Sequence, residues 1–460
     1  MVISLSKVAL WAGFIIALII VGVAAYYAGT MSAPTPTGTI TTPPPYTPPE
    51  KVRAAFIYVG PVGDFGWTYA HDLGRRVSAE LFKDWLETTY IESVPEGQEK
   101  EKIETLISQG YNVIFTTSFG FMEGTLDEAK IHPDIMFFHC SGYLRYKNMG
   151  TYFADFYQIY YLNGLLAGAL TKTGHIGYIG AFFIPEVTRH MNAFAIGAKE
   201  IGDKLGKNIT VYAIELGAWF APDKARQAAQ TLVNRYDVDV IAFTEDSTAI
   251  IEYAQQLYEQ EGKQIYVFSH YSPGWVYGKD VVVSGQIVRW EVIYADILSK
   301  IKAGIYTPTN LENVDYWYLL NSGAVEFGGH IFPNGSVMYI NPKFDNELKS
   351  IIVHDDLTGR DEDVYTYTML RYEIMKNAPI QTPLQAIAPH KYENLTSIEI
   401  GGQEGTYYIA PPVDPFIGPI SGYKISDPSQ KVNIPAGVRL GHDDLWSMDW
   451  FVDWVVLLGG

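Results

Sequence analysis

Two series of alternating strand and helix patterns in one chain predict an α/β protein built from two doubly wound parallel sheets with a cleft between them. In the first series, strand patterns fall at 54–59, 88–94, 111–116, 135–140 and 150–154, with helical stripes at 69–87, 99–109 and 121–131. In the second, GHIGYIGAF (174–182), NITVYAIEL (208–216), VDVIAFTED (238–246) and KQIYVFSHY (263–271) read as strands, separated by helical stretches at 186–204, 222–236 and 247–261. The third observation is the stretch AAFIYVGPVGDFGWTYAH (54–71), which joins an apolar run, Phe56–Val59, to a loop broken by Gly60, Pro61, Gly63 and Gly66, and then to a helix start. In open α/β sheets ligands bind beyond the carboxyl ends of the strands, so this loop should face the cleft. Leu73, Val77, Leu81 and Trp85 recur every four residues and predict the inner stripe of the helix that follows.

Before these series comes Val8–Gly29, 22 residues without a charge. As a helix it would reach about 33 Å, enough for a hydrocarbon core of about 30 Å. Lys7 precedes it and no further basic residue occurs until Lys51, which places the rest of the chain outside the membrane. Residues 1–30 are thus expected to form a single-pass transmembrane anchor, with a signal peptide cleaved near Ala24 and Ala25 as the alternative. Residues 31–50 hold seven prolines and six threonines and predict an extended linker. Asn208, Asn334 and Asn394 begin N-x-S/T sequons, as expected of a glycoprotein.

Lobe 1 is expected from 51–155 together with 285–325, and lobe 2 from 156–284 with part of the C-terminal region. The chain should cross back within 281–290 and again within 316–325. Residues 327–410 read as an insertion decorating one lobe. Residues 411–460 read as a closing segment, since Asp449 and Asp453 interrupt the apolar run LWSMDWFVDWVVLL (445–458) and leave it too short to span a membrane.

A formal net charge of -18 excludes nucleic acid as a partner, because phosphate binding needs clustered basic residues. Cys140 is the single cysteine, which excludes an internal disulfide. There is no G-x-S-x-G elbow, no P-loop and no H-E-x-x-H, and the ten histidines do not fall at metal-ligand spacings, so neither catalysis nor a metal or other cofactor is expected. His139 and Cys140 are neighbours on one strand and point to opposite faces.

Candidate ligand residues cluster at strand ends instead. They are Asp64, Phe65 and Trp67 after the first strand, Ser118, Phe119 and Phe121 after the third, and Asp155 at the first crossing. The second lobe adds Phe182, Phe183, Trp219, Glu245, Asp246 and His270, and the return crossing adds Trp290. Aromatic planes suit a flat heterocycle, and carboxylates suit hydroxyl or ring N–H donors. Trp67, beside Gly66 on a loop, is expected to be a stacking platform whose loss affects binding and not folding.

Six segments, in chain order, carry a family resemblance: GPVGDFGWTYAHDLGR (60–75), TTSFGFMEGTLDEA (116–129), YFADFYQIYYLNGLLAG (152–168), HIGYIGAFFIPEVTRHMNAFAIGA (175–198), PFIGPI (415–420) and SMDWFV (447–452). Together they resemble the basic membrane protein (BMP) family, the purine-nucleoside-binding proteins of ABC importers. The resemblance implies a type I periplasmic-binding-protein fold, no enzymatic activity, and ABC permease and ATPase subunits as partners. It puts Asp64 at the aspartate of the family's first ligand loop and Trp67 at the aromatic that stacks on the purine. Bacterial relatives are lipoproteins held by a modified cysteine; this chain has none there, and the apolar segment would replace the lipid. Nucleoside-binding relatives have an aspartate where this chain has His270, and a lysine near Arg289 and Trp290, which leaves a free purine base open beside a nucleoside. A membrane-anchored receptor of the same fold and a nucleoside hydrolase are the rival readings.

Overall fold

In the computed structural model, residues 46–378 and 413–459 are described. The expected anchor, residues 31–45 of the linker, and residues 379–412 with Asn394 lie outside them. No helix among the described residues is long and apolar enough to cross a membrane.

The chain opens with β1 (Val52–Ile57), β2 (Leu86–Ile91), β3 (Val113–Thr116), β4 (Met136–Cys140) and β5 (Met149–Ala154), connected by α1 (Trp67–Leu81), α2 (Glu99–Ser108) and α3 (Met122–Ile131). After α4 (Tyr157–Leu170) a second series follows: β6 (His175–Gly180), α5 (Pro185–Lys204), β7 (Thr210–Glu215), α6 (Pro222–Arg235), β8 (Val240–Thr244), α7 (Ala249–Glu261), β9 (Tyr266–Ser269) and β10 (Val282–Val288). The chain then forms α8 (Trp290–Lys302), β11 (Asp315–Tyr318) and β12 (Val325–Phe327). Two hairpins, β13 (His330–Ile331) with β14 (Val337–Met338) and β15 (Ile352–Asp355) with β16 (Arg360–Asp363), accompany α9 (Asp345–Ser350) and α10 (Val364–Lys376). The closing segment supplies β17 (Ile420–Lys424), β18 (Lys431–Ile434), α11 (His442–Trp446), β19 (Trp450–Val452) and β20 (Val455–Leu457).

The strands assemble into a six-stranded sheet, β11-β5-β4-β3-β1-β2, and a seven-stranded sheet, β12-β10-β9-β8-β6-β7-β20. Each strand series folds in the same order, with the first strand between the second and third, and the pairs β1/β2, β1/β3, β6/β7 and β6/β8 are parallel. β3, β4, β5 and β8 are buried at every residue. Such strands read as unbroken apolar runs because helices cover both faces. The two sheets make a two-lobed periplasmic-binding-protein fold. Three stretches join the lobes: Asp155–Phe156 after β5, Arg289 between β10 and α8, and the chain from β11 to β12.

Two helices differ from expectation. On α1 the expected inner stripe faces water: Leu73, Val77 and Leu81 are exposed, while Trp67, Thr68, Ala70, His71, Asp72, Gly74 and Ser78 are buried. The reason is the close crossing of α8, where a Cβ on Gly74 would lie 2.7 Å from Trp290 Cβ and 2.9 Å from Glu291 N. A face this tightly packed accepts small residues and rejects the larger apolar ones. α4 has no sequence signal at all, because all fourteen of its residues are buried and no polar face sets a period.

The described part of the expected insertion folds onto lobe 2 through α4 and α5. Tyr367 Oη donates to Glu200 of α5 at 2.5 Å, and the buried Arg371 pairs with the buried Asp355 at 2.8 Å.

Candidate functional site

The carboxyl ends of both sheets converge on a small cavity between the lobes. Lobe 1 supplies Val59 and Trp67 beyond β1, Ser118 and Phe119 beyond β3, and Ser141 beyond β4. Lobe 2 supplies Glu186 from the first turn of α5, Trp219 beyond β7, Thr244 and Asp246 around the end of β8, and Tyr271 beyond β9. Among the described residues, four aromatic rings, two acids and three Ser or Thr side chains line it, and no Lys, Arg or His does.

The glycine-rich loop reaches the cavity because Asp64 holds its shape. One Asp64 carboxylate oxygen accepts the backbone N–H of Gly66 at 2.8 Å and of Tyr69 at 2.9 Å, and the other that of Thr68 at 3.0 Å. That consumes the carboxylate in capping α1. Asp64 is buried and does not line the cavity. Gly66 lets the loop touch lobe 2, since a Cβ there would come within 2.7 Å of Asp246 Cα.

Trp67 is the first residue of α1 and not a loop residue, and only 7% of it is exposed. Its backbone N–H donates to Asp246 Oδ1 across the cleft at 3.0 Å, and its indole N–H donates to the Thr117 carbonyl. Edge-on contacts to His71, Tyr271 and Trp290, at centroid separations of 4.5, 5.1 and 5.5 Å, fix its ring. Trp67 therefore forms part of the core and a wall of the cavity together, which corrects the expectation of a loop platform whose loss leaves folding untouched.

A second link across the cleft centres on Glu186, which is 4% exposed. Ser141 Oγ from lobe 1 donates to one of its oxygens at 2.5 Å, and Tyr271 Oη from lobe 2 donates to the other at 2.8 Å. Both donors sit in the left-handed region, Ser141 at φ 67° and Tyr271 at φ 57°, as does Phe65 at φ 62°. Non-glycine residues adopt this conformation at a cost of roughly 1–3 kcal/mol each, and it clusters where surrounding structure fixes a functional geometry. A weaker third link joins Trp219 Nε1 of lobe 2 to Glu96 at 3.4 Å, and Ser118 Oγ also donates to Glu96 at 2.6 Å. With these three links made, the lobes are closed on the cavity.

Asp64, Glu245 and Asp246 share one electrostatic condition. Burial pushes Glu245 up to about 8, against hydrogen bonds from Ser247 and with a smaller push from Asp64. Burial and then the neighbouring Asp64 raise Asp246 well above the carboxylate range, and burial raises Asp64 despite its three backbone donors. Glu245, Asp246, Phe65 and His270 surround a smaller recess behind the main cavity. There Glu245 Oε2 and His270 Nε2 have no hydrogen-bond partner, while His270 Nδ1 meets Tyr160 Oη at 2.7 Å.

Of the residues expected at the site, Trp67, Ser118, Phe119, Trp219 and Asp246 line the cavity, and Phe65, Glu245 and His270 line the recess. Phe182 backs Trp219, edge-on at 5.2 Å. Phe121 and Trp290 are fully buried in cores, and Phe183 packs on Phe451. Asp155 is fully buried at the first crossing and lines neither space. It accepts Arg189 Nε at 2.7 Å, His190 Nε2 at 2.9 Å and Trp317 Nε1 at 2.9 Å. Burial opposes its charge, yet Arg189 and His190 hold its carboxyl below the usual range. Cys140 is buried in the core, where desolvation pushes its thiol up and leaves it unreactive.

Glu186, Tyr271, Ser141, Thr244 and Val59 escaped sequence reasoning. Tyr271 is one residue past His270, and Glu186 follows the isolated Pro185 that starts α5. Acidic residues and proline in a first helical turn are ordinary features of helix starts, so neither stands out as a ligand signal.

Comparison with known proteins agrees with this geometry. The Bmp family pattern, described as "ABC transporter substrate-binding protein PnrA-like", matches residues 51–353. A purine-binding protein of Brucella abortus (strain 2308) is 35% identical over 278 residues, covering 60% of this chain and 75% of that protein. A Haloferax volcanii protein named as an ABC transporter glucose-binding protein is 34% identical over 255 residues, covering 55% of this chain and 62% of its own length. Among solved structures, an ABC transporter solute-binding protein from Aeropyrum pernix K1 superposes with a TM-score of 0.57 at 14% identity, covering 72% of this chain and 94% of that one. This chain therefore belongs to the Bmp family of PnrA-like ABC transporter substrate-binding proteins, a family of non-enzymatic solute-binding proteins.

Proposed function

We propose that this protein captures a purine, as the free base or as its nucleoside, outside the cytoplasmic membrane and delivers it to the permease and ATPase of an ABC importer. The carrying observation is the cavity itself, walled by Trp67, Phe119, Trp219 and Tyr271 with Glu186 and Asp246 at its polar edge. Aromatic planes stack a heterocycle with about 1–3 kcal/mol per base, and carboxylates accept from ring N–H or exocyclic amine donors. The lack of any basic side chain among the described lining residues argues against phosphorylated ligands, whose charge would go uncompensated. The purine-binding relative from Brucella abortus supports the same ligand class. The apolar segment 8–29 would hold the binding domain at the membrane by way of the proline-rich linker.

A hexose is the second reading, favoured by the name of the Haloferax relative, since aromatic faces also stack on sugar rings. Thermal shift separates the two. A ligand bound to the folded state alone stabilises it by about 2.7 kcal/mol at a hundredfold excess over its Kd, which raises Tm by several degrees. Adenine, guanine, hypoxanthine or their nucleosides should do so, whereas glucose and AMP should not. A shift with glucose and none with any purine would overturn the reading.

A further inference from the structure

On the outer side of lobe 1, α2 and α3 lie side by side and bring together three donors that the cleft does not use. Glu128 and His132 stand four residues apart, on one face at the end of α3, and Glu104 faces them from α2. His132 Nε2 lies 3.0 Å from Glu104 Oε1 and 3.4 Å from Glu128 Oε2, and one donor atom from each residue falls within 4.8 Å of the others. Glu128 is 4% exposed, and its Oε2, turned toward the imidazole, accepts no hydrogen bond. Lys100, the nearby lysine of α2, is engaged by Asp127. One buried and one exposed carboxylate are thus held around a single imidazole edge.

We propose that Glu104, Glu128 and His132 bind one divalent transition cation, for which Zn²⁺ is the matching probe. With bonds of about 2.0–2.1 Å, the donors of a tetrahedral zinc site lie about 3.3 Å apart, and the two separations from His132 Nε2 bracket that edge. Calcium and magnesium require six or more oxygen donors and do not suit an imidazole in a three-residue set. Two carboxylates with one imidazole suit the first-row divalent ions, and half-exposed Glu104 leaves the fourth position to water. The bound ion clamps α2 to α3 and stabilises lobe 1. The histidine pattern hides this site because only one donor is a histidine and the third arrives from a neighbouring helix.

The test uses the full chain stripped with chelator and titrated with ZnCl₂ alone. Calorimetry should find one high-affinity ion per chain, and Tm should rise by several degrees with zinc. Glu104→Gln, an exposed change that the fold tolerates, and His132→Ala should each weaken zinc binding by at least about tenfold, the low end of what loss of even a supporting group costs. Unchanged circular dichroism in both variants attributes that loss to the ligands. Absence of zinc binding, or binding by both variants as tight as by the unaltered chain, would overturn the proposal and leave the three residues as an ion pair around His132.

Discussion

The first crossing and the cleft both bury acids, and they treat them in opposite ways. At the crossing Asp155 meets Arg189 and His190 and stays charged. In the cleft Glu245 and Asp246 have no cation beside them and are held toward the neutral form. A compensated buried charge fixes one geometry, and losing one partner leaves the other stranded. An uncompensated acid is satisfied by a proton or by a donor that arrives from outside. The contrast separates the joint, which is built to keep its shape, from the pocket, which is built to be completed.

The comparison breaks first, and with the largest effect, at the joint. Asp155→Asn keeps the shape and removes the charge, leaving the fully buried Arg189 unpaired, which should cost about 3–5 kcal/mol of stability. Chemical denaturation measures it, and an unchanged midpoint would show that the pair does not hold the crossing.

The cleft responds next, and less. Trp67→Ala removes the ring but leaves the backbone N–H that Asp246 accepts, so it isolates the aromatic contribution from the acid's. Purine affinity should fall by about 5- to 150-fold, and Tm should fall as well because the ring is packed on His71 and Trp290. Calorimetric titration beside an unliganded melt reads both; full affinity in the variant would move the ligand elsewhere.

The effect that is smallest at each step, spread over three pH units, sharpens the electrostatic half of the contrast. Burial keeps Glu245 neutral up to about 8, whereas an unfolded glutamate ionises near pH 4.3. The folded protein therefore holds the extra proton between these values, so this contribution to stability is complete in acid and is lost as pH rises through about 8. Stability measured from pH 5 to 8 should decline with a slope of at most about 1.4 kcal/mol per pH unit from this group. Glu245→Gln should remove that part of the slope, and an identical slope in the variant would locate the pH dependence in other groups.

What the residues reveal in advance follows the same division between regular and singular features. Unbroken apolar strands such as β3 and β4, and the glycine loop with Trp67 beyond β1, are legible because period and punctuation are local properties. α4 is not, since complete burial erases its period. Leu73, Val77 and Leu81 mislead because tight packing of α1 on α8 inverts the usual face. Glu186, Ser141 and Tyr271 meet only after both lobes fold, and the left-handed backbone that aims two of them at the first has no marker in residue type.

The outer edge of the seven-stranded sheet has a consequence for how the chain is made. β20 adds beside β7 in parallel, with Val455 opposite Val211, so the strand that covers this edge arrives only after the chain has crossed to lobe 1 and back. A chain leaving the ribosome, N-terminal part first, holds β7 with one unpaired border until that distant segment has emerged. Unpaired borders are templates for association with other chains. Until Val455 has been made, then, lobe 2 carries an uncovered strand border beside β7, even though its ligand cavity is already encoded.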